Sequence, residues 1–484
     1  MLHTNVHRAR ALLTVGALLG AGAAAQTAPP PAVPVAVPVA VPVAAPAPAA
    51  EALPALLGAL RSAPDWRSAD LTYRAAQLTL DSARTRAGLN VQAGATGSLT
   101  RLPWDTGEWN GAATVTVSAG LSVLPWSAAL EGVRSAQRGL DSAAITLRSA
   151  RSELTVSLLQ AYAAARRAAA QQELAAAQVA LATRQLAVAT DRRAVGLLPP
   201  EGLLSAQAAL DSAQAAQGQA TRAAVQAARR VARVLGRAVT LPATAAAYAA
   251  LPPAPAAPPV DDLIARALRG RPEVARARAG LADAQAGVQA ALLDARLPDV
   301  SASAVYGQLA DAQGTPGKTV SGSLSLKTGV LGVQASVPLR DTSAVPSGLS
   351  LSLSATIPLL GSPAGTVLRQ AQLGQAQAQL ALDSAAQAVE LDVRARYDAL
   401  LDEQATLTAA QTSAAQARAA ADSARARVDA GLATTLDLQQ AELGALQATQ
   451  AVTAQQDAVA LAALTLSLAT ADLDVQLLTS GGTP

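Results

Sequence analysis

Val195-Gly196-Leu197 and Ala430-Gly431-Leu432 are one turn written twice, 235 positions apart. Tyr162 precedes the first glycine, and Tyr397 the second, by the same 34 residues. Further out, Arg61-Ser62-Ala63-Pro64-Asp65 returns as Arg269-Gly270-Arg271-Pro272-Glu273, now at an offset of 208. The offsets differ by 27 residues, so the later copy carries an insertion of that size. A unit that recurs whole points to an architecture built from copies.

The stretches around the two turns are helical. Val133, Leu140, Leu147 and Leu154 recur every seven residues, continued by Ala161 and Ala168. Beyond the second turn the same step joins Ala445, Val452, Val459, Leu466 and Leu473. Heptads of this kind form coiled-coil seams, and Ala between them favours helix and close packing. The first long helix is expected from Ser127 to Val195, roughly 100 Å at 1.5 Å per residue. The second is expected over 364–430. Glycine at each turn permits a C-cap, and Pro199-Pro200 turns the chain into a returning helix.

Elsewhere the period drops to two. Val91–Leu99, Thr114–Val123, Val300–Tyr306 and Leu349–Ile357 alternate apolar or small residues with polar ones, the pattern of strands with two different faces. The inserted residues fall near 311–342, between the last two of these strands. Leu331, Val333, Ala335 and Val337 alternate there as well, which predicts an extra hairpin whose place relative to the other strands is not set by the pattern.

Composition narrows the function. Among 484 residues there is no Phe and no Cys, and the only histidines are His3 and His7. The N-terminus carries Arg8 and Arg10, a short apolar run over Ala11–Gly22 and then Ala23-Ala24-Ala25. That order reads as a secretory signal peptide, residues 1–25. Cleavage after Ala25 would remove both histidines, and a chain without His or Cys has no serine triad, histidine–metal site or thiol chemistry. We therefore expect no enzyme, no cofactor and no metal. A net charge of +3, with no basic run interleaved with aromatics, gives no support to nucleic-acid binding. Residues 26–52 form a Pro/Ala/Val-rich linker of polyproline II character. The first repeat covers 53–250, a Pro-rich linker 251–260, the second repeat 261–478 and a tail 479–484.

Strands of about ten residues with one apolar face have the length of transmembrane β-strands. Four of them cannot close a barrel, and an open edge in lipid leaves backbone groups unpaired at several kcal/mol each. Copies of the chain must complete the wall, and a cyclic assembly closes it. Trp104, Trp109, Trp126 and Tyr306 lie near strand ends, where interfacial aromatics belong. The competing reading of the strands is a soluble β-sandwich, which would lack large aromatic core residues here.

Several segments resemble the TolC family of outer-membrane efflux proteins. Ala267–Val274 is similar to that family's repeat opening, and Ala295-Arg296-Leu297-Pro298-Asp299-Val300 to its approach into a strand. Ser354–Leu359, a strand ending at Pro358, leads into a long helix as in the family. Arg427-Val428-Asp429-Ala430-Gly431-Leu432-Ala433-Thr434-Thr435-Leu436-Asp437-Leu438 resembles its helix–turn–helix tip, with Val195–Gln207 as the counterpart.

The resemblance implies a mainly α fold with a small β part. Duplicated long helical hairpins would form a trimeric α-helical coiled-coil barrel, joined to a twelve-stranded transmembrane β-barrel with four strands per protomer. It implies a homotrimer set in outer-membrane lipid with a long periplasmic extension. A periplasmic adaptor protein and an inner-membrane transporter of RND, ABC or MFS type would complete the assembly. The function implied is a passive exit duct for efflux or type I secretion; a structural trimeric spacer that tethers the envelope is the alternative. Val195, Gly196, Leu197, Ala430, Gly431 and Leu432 would form the periplasmic tips that meet the adaptor. Asp437 would supply a threefold carboxylate ring at the pore constriction, attracting cations, with like-charge crowding raising its pKa. Gln440 stands where the family often has a second acid. The matching place in the first repeat is Gly202, with Glu201 beside it. The other reading of Asp437 is a solvated first-turn acid favoured by the helix dipole.

Overall fold

The computed structural model describes residues 50–101, 103–252, 258–309, 317–339, 346–356 and 364–473. The expected signal peptide, most of the expected 26–52 linker, part of the expected 251–260 linker and the expected 479–484 tail lie outside them.

Each repeat begins with short helices broken at proline. In the first, α1 (Leu53–Ala59) and α2 (Pro64–Ala87) meet at Pro64, which occupies a first-turn position where its missing N–H costs nothing. Two strands follow, β1 (Asn90–Arg101) and β2 (Trp109–Ser122). The 67-residue α3 (Ala128–Ala194) then runs to the first turn, and α4 (Pro200–Leu235) returns along it. Ser127 caps α3: its hydroxyl accepts from the Leu130 N–H at 3.4 Å. The second repeat has α5 (Val260–Gly270), α6 (Pro272–Arg296), β3 (Asp299–Gln308), β4 (Thr319–Ser325), β5 (Val330–Pro338) and β6 (Ser347–Thr356). The 66-residue α7 (Ala364–Asp429) and its returning partner α8 (Thr435–Ala469) close it.

The helices share two apolar clusters. Leu56, Leu60, Trp66, Leu158, Leu159, Tyr162, Val231 and Leu235 join the first repeat, with Leu464 of α8 reaching in. Leu263, Ile264, Val274, Val389, Val393, Leu400, Val459 and Leu466 form the second. Each fully buried aliphatic side chain contributes on the order of 1.5–3 kcal/mol. Val133, Leu140 and Leu147 of the heptad run are only half-buried. The buried positions begin further along α3, at Ser152, Thr155, Val156, Leu158, Leu159 and Tyr162. The tyrosine that marks the repeat therefore sits in mid-helix. Its ring lies tilted against that of Tyr248, with centroids 5.2 Å apart, and its Oη accepts from the Ala249 N–H at 2.9 Å.

All strands form one antiparallel sheet of six, in the order β1-β2-β5-β4-β3-β6. The four expected strands and the expected extra hairpin all lie in this one sheet. β1, β2, β3 and β6 are the four anticipated strands, but β2 and β3 do not pair with each other. The hairpin β4–β5 stands between them, paired to β2 over nine residues and to β3 over seven. The physical reason lies in its pattern: both of its strands alternate with the same period and face as their neighbours, so the ladder continues through them.

Candidate functional site

The two turns share one backbone. At the first, the Val195 N–H reaches Asp191 O at 3.3 Å, the Gly196 N–H reaches Arg193 O at 3.0 Å and the Leu197 N–H reaches Arg192 O at 2.8 Å. At the second, the Ala430, Gly431 and Leu432 N–H groups donate to Ala426, Val428 and Arg427 at 3.0, 2.9 and 2.7 Å. These are left-handed helix C-caps that satisfy the last carbonyls of α3 and α7. Gly196 has φ +76° and Gly431 φ +71°, and a Cβ on either would meet nothing within 4 Å. Backbone dihedral alone requires glycine there. Val195, Leu197 and Leu432 project into solvent, with Leu197 77% and Leu432 73% exposed. The structure thus brings the tip residues to two exposed apolar points.

The returning helices start differently. Thr434 caps α8 with a full capping box. Its hydroxyl accepts from the Asp437 N–H at 3.2 Å, and Asp437 Oδ2 accepts from the Thr434 N–H at 2.9 Å and from Thr434 Oγ1 at 2.7 Å. The Thr434 hydroxyl and N–H together hold the Asp437 carboxyl below the usual carboxylate range. Within one chain the shift therefore runs opposite to the rise expected from a crowded ring. Gln440 follows Asp437 by three residues on α8. Arg425 and Glu442 pair across this hairpin at 2.7 Å.

At the first turn α4 has no side-chain cap; Pro199 precedes it and Pro200 opens it. Glu201 lies in its first turn, exposed. Gly202 packs under Leu198: a Cβ at 202 would stand 2.9 Å from Leu198 Cγ and Cδ1. The Leu198 carbonyl accepts from Arg193 Nη1 at 3.2 Å. Apolar packing occupies the position that corresponds to Asp437. Sequence reading found the difference in charge but missed Leu198, because a contact four residues back is not a motif. The box itself was legible as Thr434-x-x-Asp437.

At the sheet the aromatics divide between two ends. Trp104 and Trp109 meet edge to face at 6.0 Å in the β1–β2 connection, with the Arg101 guanidinium 6.0 Å from both rings. Tyr306 lies toward the same end, on β3. Trp126 lies at the other end, beside the helices, where its indole N–H donates to Leu326 O at 3.1 Å. Among the described residues no group of His, Cys, Asp and Glu could hold a metal ion.

One buried charge pair links the repeats. Arg166 on α3 donates to Asp457 on α8 at 3.0 Å, and Asp457 is only 4% exposed. Burial pushes its carboxyl pKa up, while Arg166 opposes the rise.

Long helical hairpins joined to a two-faced antiparallel sheet are the fold that the chain shares with solved outer-membrane channels. Residues 56–237 match the family model described as outer membrane efflux protein. Similar solved structures include the outer membrane protein VceC of Vibrio cholerae, at 20% identity and TM-score 0.61, covering 88% of this chain and 96% of that one. The CmeC outer membrane channel of Campylobacter jejuni is 14% identical with TM-score 0.63, covering 86% and 84%. The open state of the MtrE outer membrane channel of Neisseria gonorrhoeae is 20% identical with TM-score 0.61, covering 87% and 88%. No curated protein matches the chain by sequence. The family match falls on the first repeat, and these solved outer-membrane channels share the fold of the chain.

Proposed function

We propose that this protein is the outer-membrane exit duct of a tripartite efflux pump, working as a trimer without catalysis. The observation that carries the reading is the junction of a two-faced sheet with helical hairpins about 100 Å long. A sheet with one apolar and one polar face suits a wall between lipid and water. The hairpins supply a tunnel long enough to cross much of the periplasm. Trp104, Trp109 and Tyr306 anchor one membrane interface and Trp126 the other.

The tips take the adaptor. Val195, Leu197, Ala430 and Leu432 offer small apolar points that dock into a partner groove, while Gly196 and Gly431 shape the turn. The inner-membrane transporter, of RND, ABC or MFS type, supplies the energy. Asp437 forms the constriction ring, with Gln440 and Glu201 near it. The capping box fixes its carboxylate and keeps it ionised, so three copies present negative charge at the narrow end. The same duct would serve type I secretion if the transporter exports polypeptide.

Single-channel recording of purified trimers in planar bilayers tests this. A cation-selective current whose selectivity falls in Asp437→Ala is the expected result. Absence of current in both the parent and Asp437→Ala would leave the envelope spacer as the better reading.

A further inference from the structure

We propose that the hairpin β4–β5 is a wall segment of the membrane barrel, so that each protomer supplies six strands and the closed trimer eighteen. This rests on the membrane-barrel reading above and goes beyond it, since the first expectation was a wall of four strands per chain.

Three observations carry it. The first is pairing. Nine residues of β2 and seven of β3 pair with the hairpin, and without it these residues have no ladder partner on that side. In lipid every such backbone group must be paired.

The second is face. Val115, Val117, Ala119 and Leu121 on β2 stand opposite Val337, Ala335, Val333 and Leu331 on β5. The row continues through Val320, Gly322 and Leu324 on β4 to Tyr306, Ala304 and Ala302 on β3. It ends at Leu349, Leu351 and Leu353 on β6. The opposite face reads Thr116 and Ser118, then Gln334 and Ser336, then Ser321 and Ser323, then Ser301 and Ser303. The hairpin thus carries the lipid-facing and lumen-facing sets in the same register as the strands beside it.

The third is the turn, which is built into the base of the sheet. Gly329 O accepts from the Val123 and Leu124 N–H groups at 2.9 and 3.2 Å, and the Leu326 N–H donates to Val300 O at 2.9 Å. Lys327 pairs with Asp294 of α6 at 2.8 Å. Gly329 has φ +70°, and a Cβ there would lie 2.9 Å from Leu124 Cβ. A hairpin that folded into the lumen as a plug would have to break all of these contacts.

The free edges fit closure by further copies. Strand directions alternate across the sheet, so β6 of one protomer meets β1 of the next antiparallel. Below those edges, exposed leucines continue the seam seven residues apart: Leu71 and Leu78 on α2, Leu373 and Leu380 on α7. At a strand spacing of about 4.8 Å and a tilt near 40°, eighteen strands enclose a ring roughly 36 Å across, against about 24 Å for twelve.

The chain has no cysteine, so single cysteines report cleanly. Full-length trimers in liposomes, carrying Val333→Cys, Gln334→Cys, Val117→Cys or Thr116→Cys, are treated with a membrane-impermeant maleimide. The expected result is labelling at 334 and 116 and at least tenfold less at 333 and 117. Labelling at 333 with protection at 117 would overturn the hairpin's place in the wall while leaving the barrel intact. Labelling at both 333 and 117 would defeat the membrane-barrel reading itself. A cryo-EM map of the unmodified trimer counts the strands independently: eighteen supports the proposal and twelve overturns it.

Discussion

The tip at Gly196 and the tip at Gly431 stop their long helices with the same backbone and start the next helix with different chemistry. The shared part is dictated by hydrogen-bonding geometry, because the last carbonyls of α3 and α7 need partners and only a left-handed residue supplies them compactly. The unshared part is free to vary, since a helix start is satisfied by a threonine–aspartate box or by proline with apolar packing. One tip therefore has a fixed carboxylate, and the other has a leucine lying over a glycine. Duplication preserved what backbone geometry demands and let charge diverge.

The largest expected effect tests whether the two repeats stand or fall together. Arg166→Met leaves Asp457 buried without its partner, at a cost of about 3–5 kcal/mol. Denaturation of purified trimers should show the loss in both repeats at once; a loss confined to one would mean that α3 and α8 are not coupled.

Next comes Gly202→Asp, an attempt to write the second tip's charge into the first. Overpacking against Leu198 should cost about 1–3 kcal/mol. Adding Leu198→Ala should recover most of it and raise cation selectivity in bilayer recordings. If the single substitution is already neutral in stability, packing does not explain the missing acid.

Gly196→Val and Gly431→Val should each cost on the order of 1–2 kcal/mol, because both sites are open and only φ opposes the change. Hydrogen exchange at the two tips measures the costs separately. A marked inequality would break the claim of a common cap.

The smallest effects belong to the box. Thr434→Ala should cost about 1 kcal/mol, with no counterpart at Pro199. Because the folded tip depresses the Asp437 pKa, the box's contribution is complete above the ordinary aspartate value near 3.9 and is lost as pH falls through the lower folded value. Acid should therefore loosen the second tip before the first, which exchange rates between about pH 5 and pH 2 would show.

Much of this was legible before the fold was known. The repeat, the glycine turns and the two-faced strands are local periodicities, so Gly431 as a cap and Val117 as a facing residue follow from their neighbours in the chain. Leu198 over Gly202 and Arg166 against Asp457 do not, because those contacts depend on rotamers or on helices hundreds of residues apart. The hairpin was visible as alternation near 311–342, yet nothing local said where it paired.

By itself the sequence determined a duplicated helical scaffold with tips, amphipathic strands, and a chemistry without histidine or cysteine in its body. Periodicity and backbone dihedral preference act over a few residues, and a single chain records them directly. The tertiary structure alone decided that six strands share one sheet, that the inserted hairpin separates β2 from β3, and that Leu198 lies over Gly202 at the first tip. Each of these depends on which hydrogen-bonding edge or side chain finds which partner across the fold, a choice settled by register and packing rather than by composition.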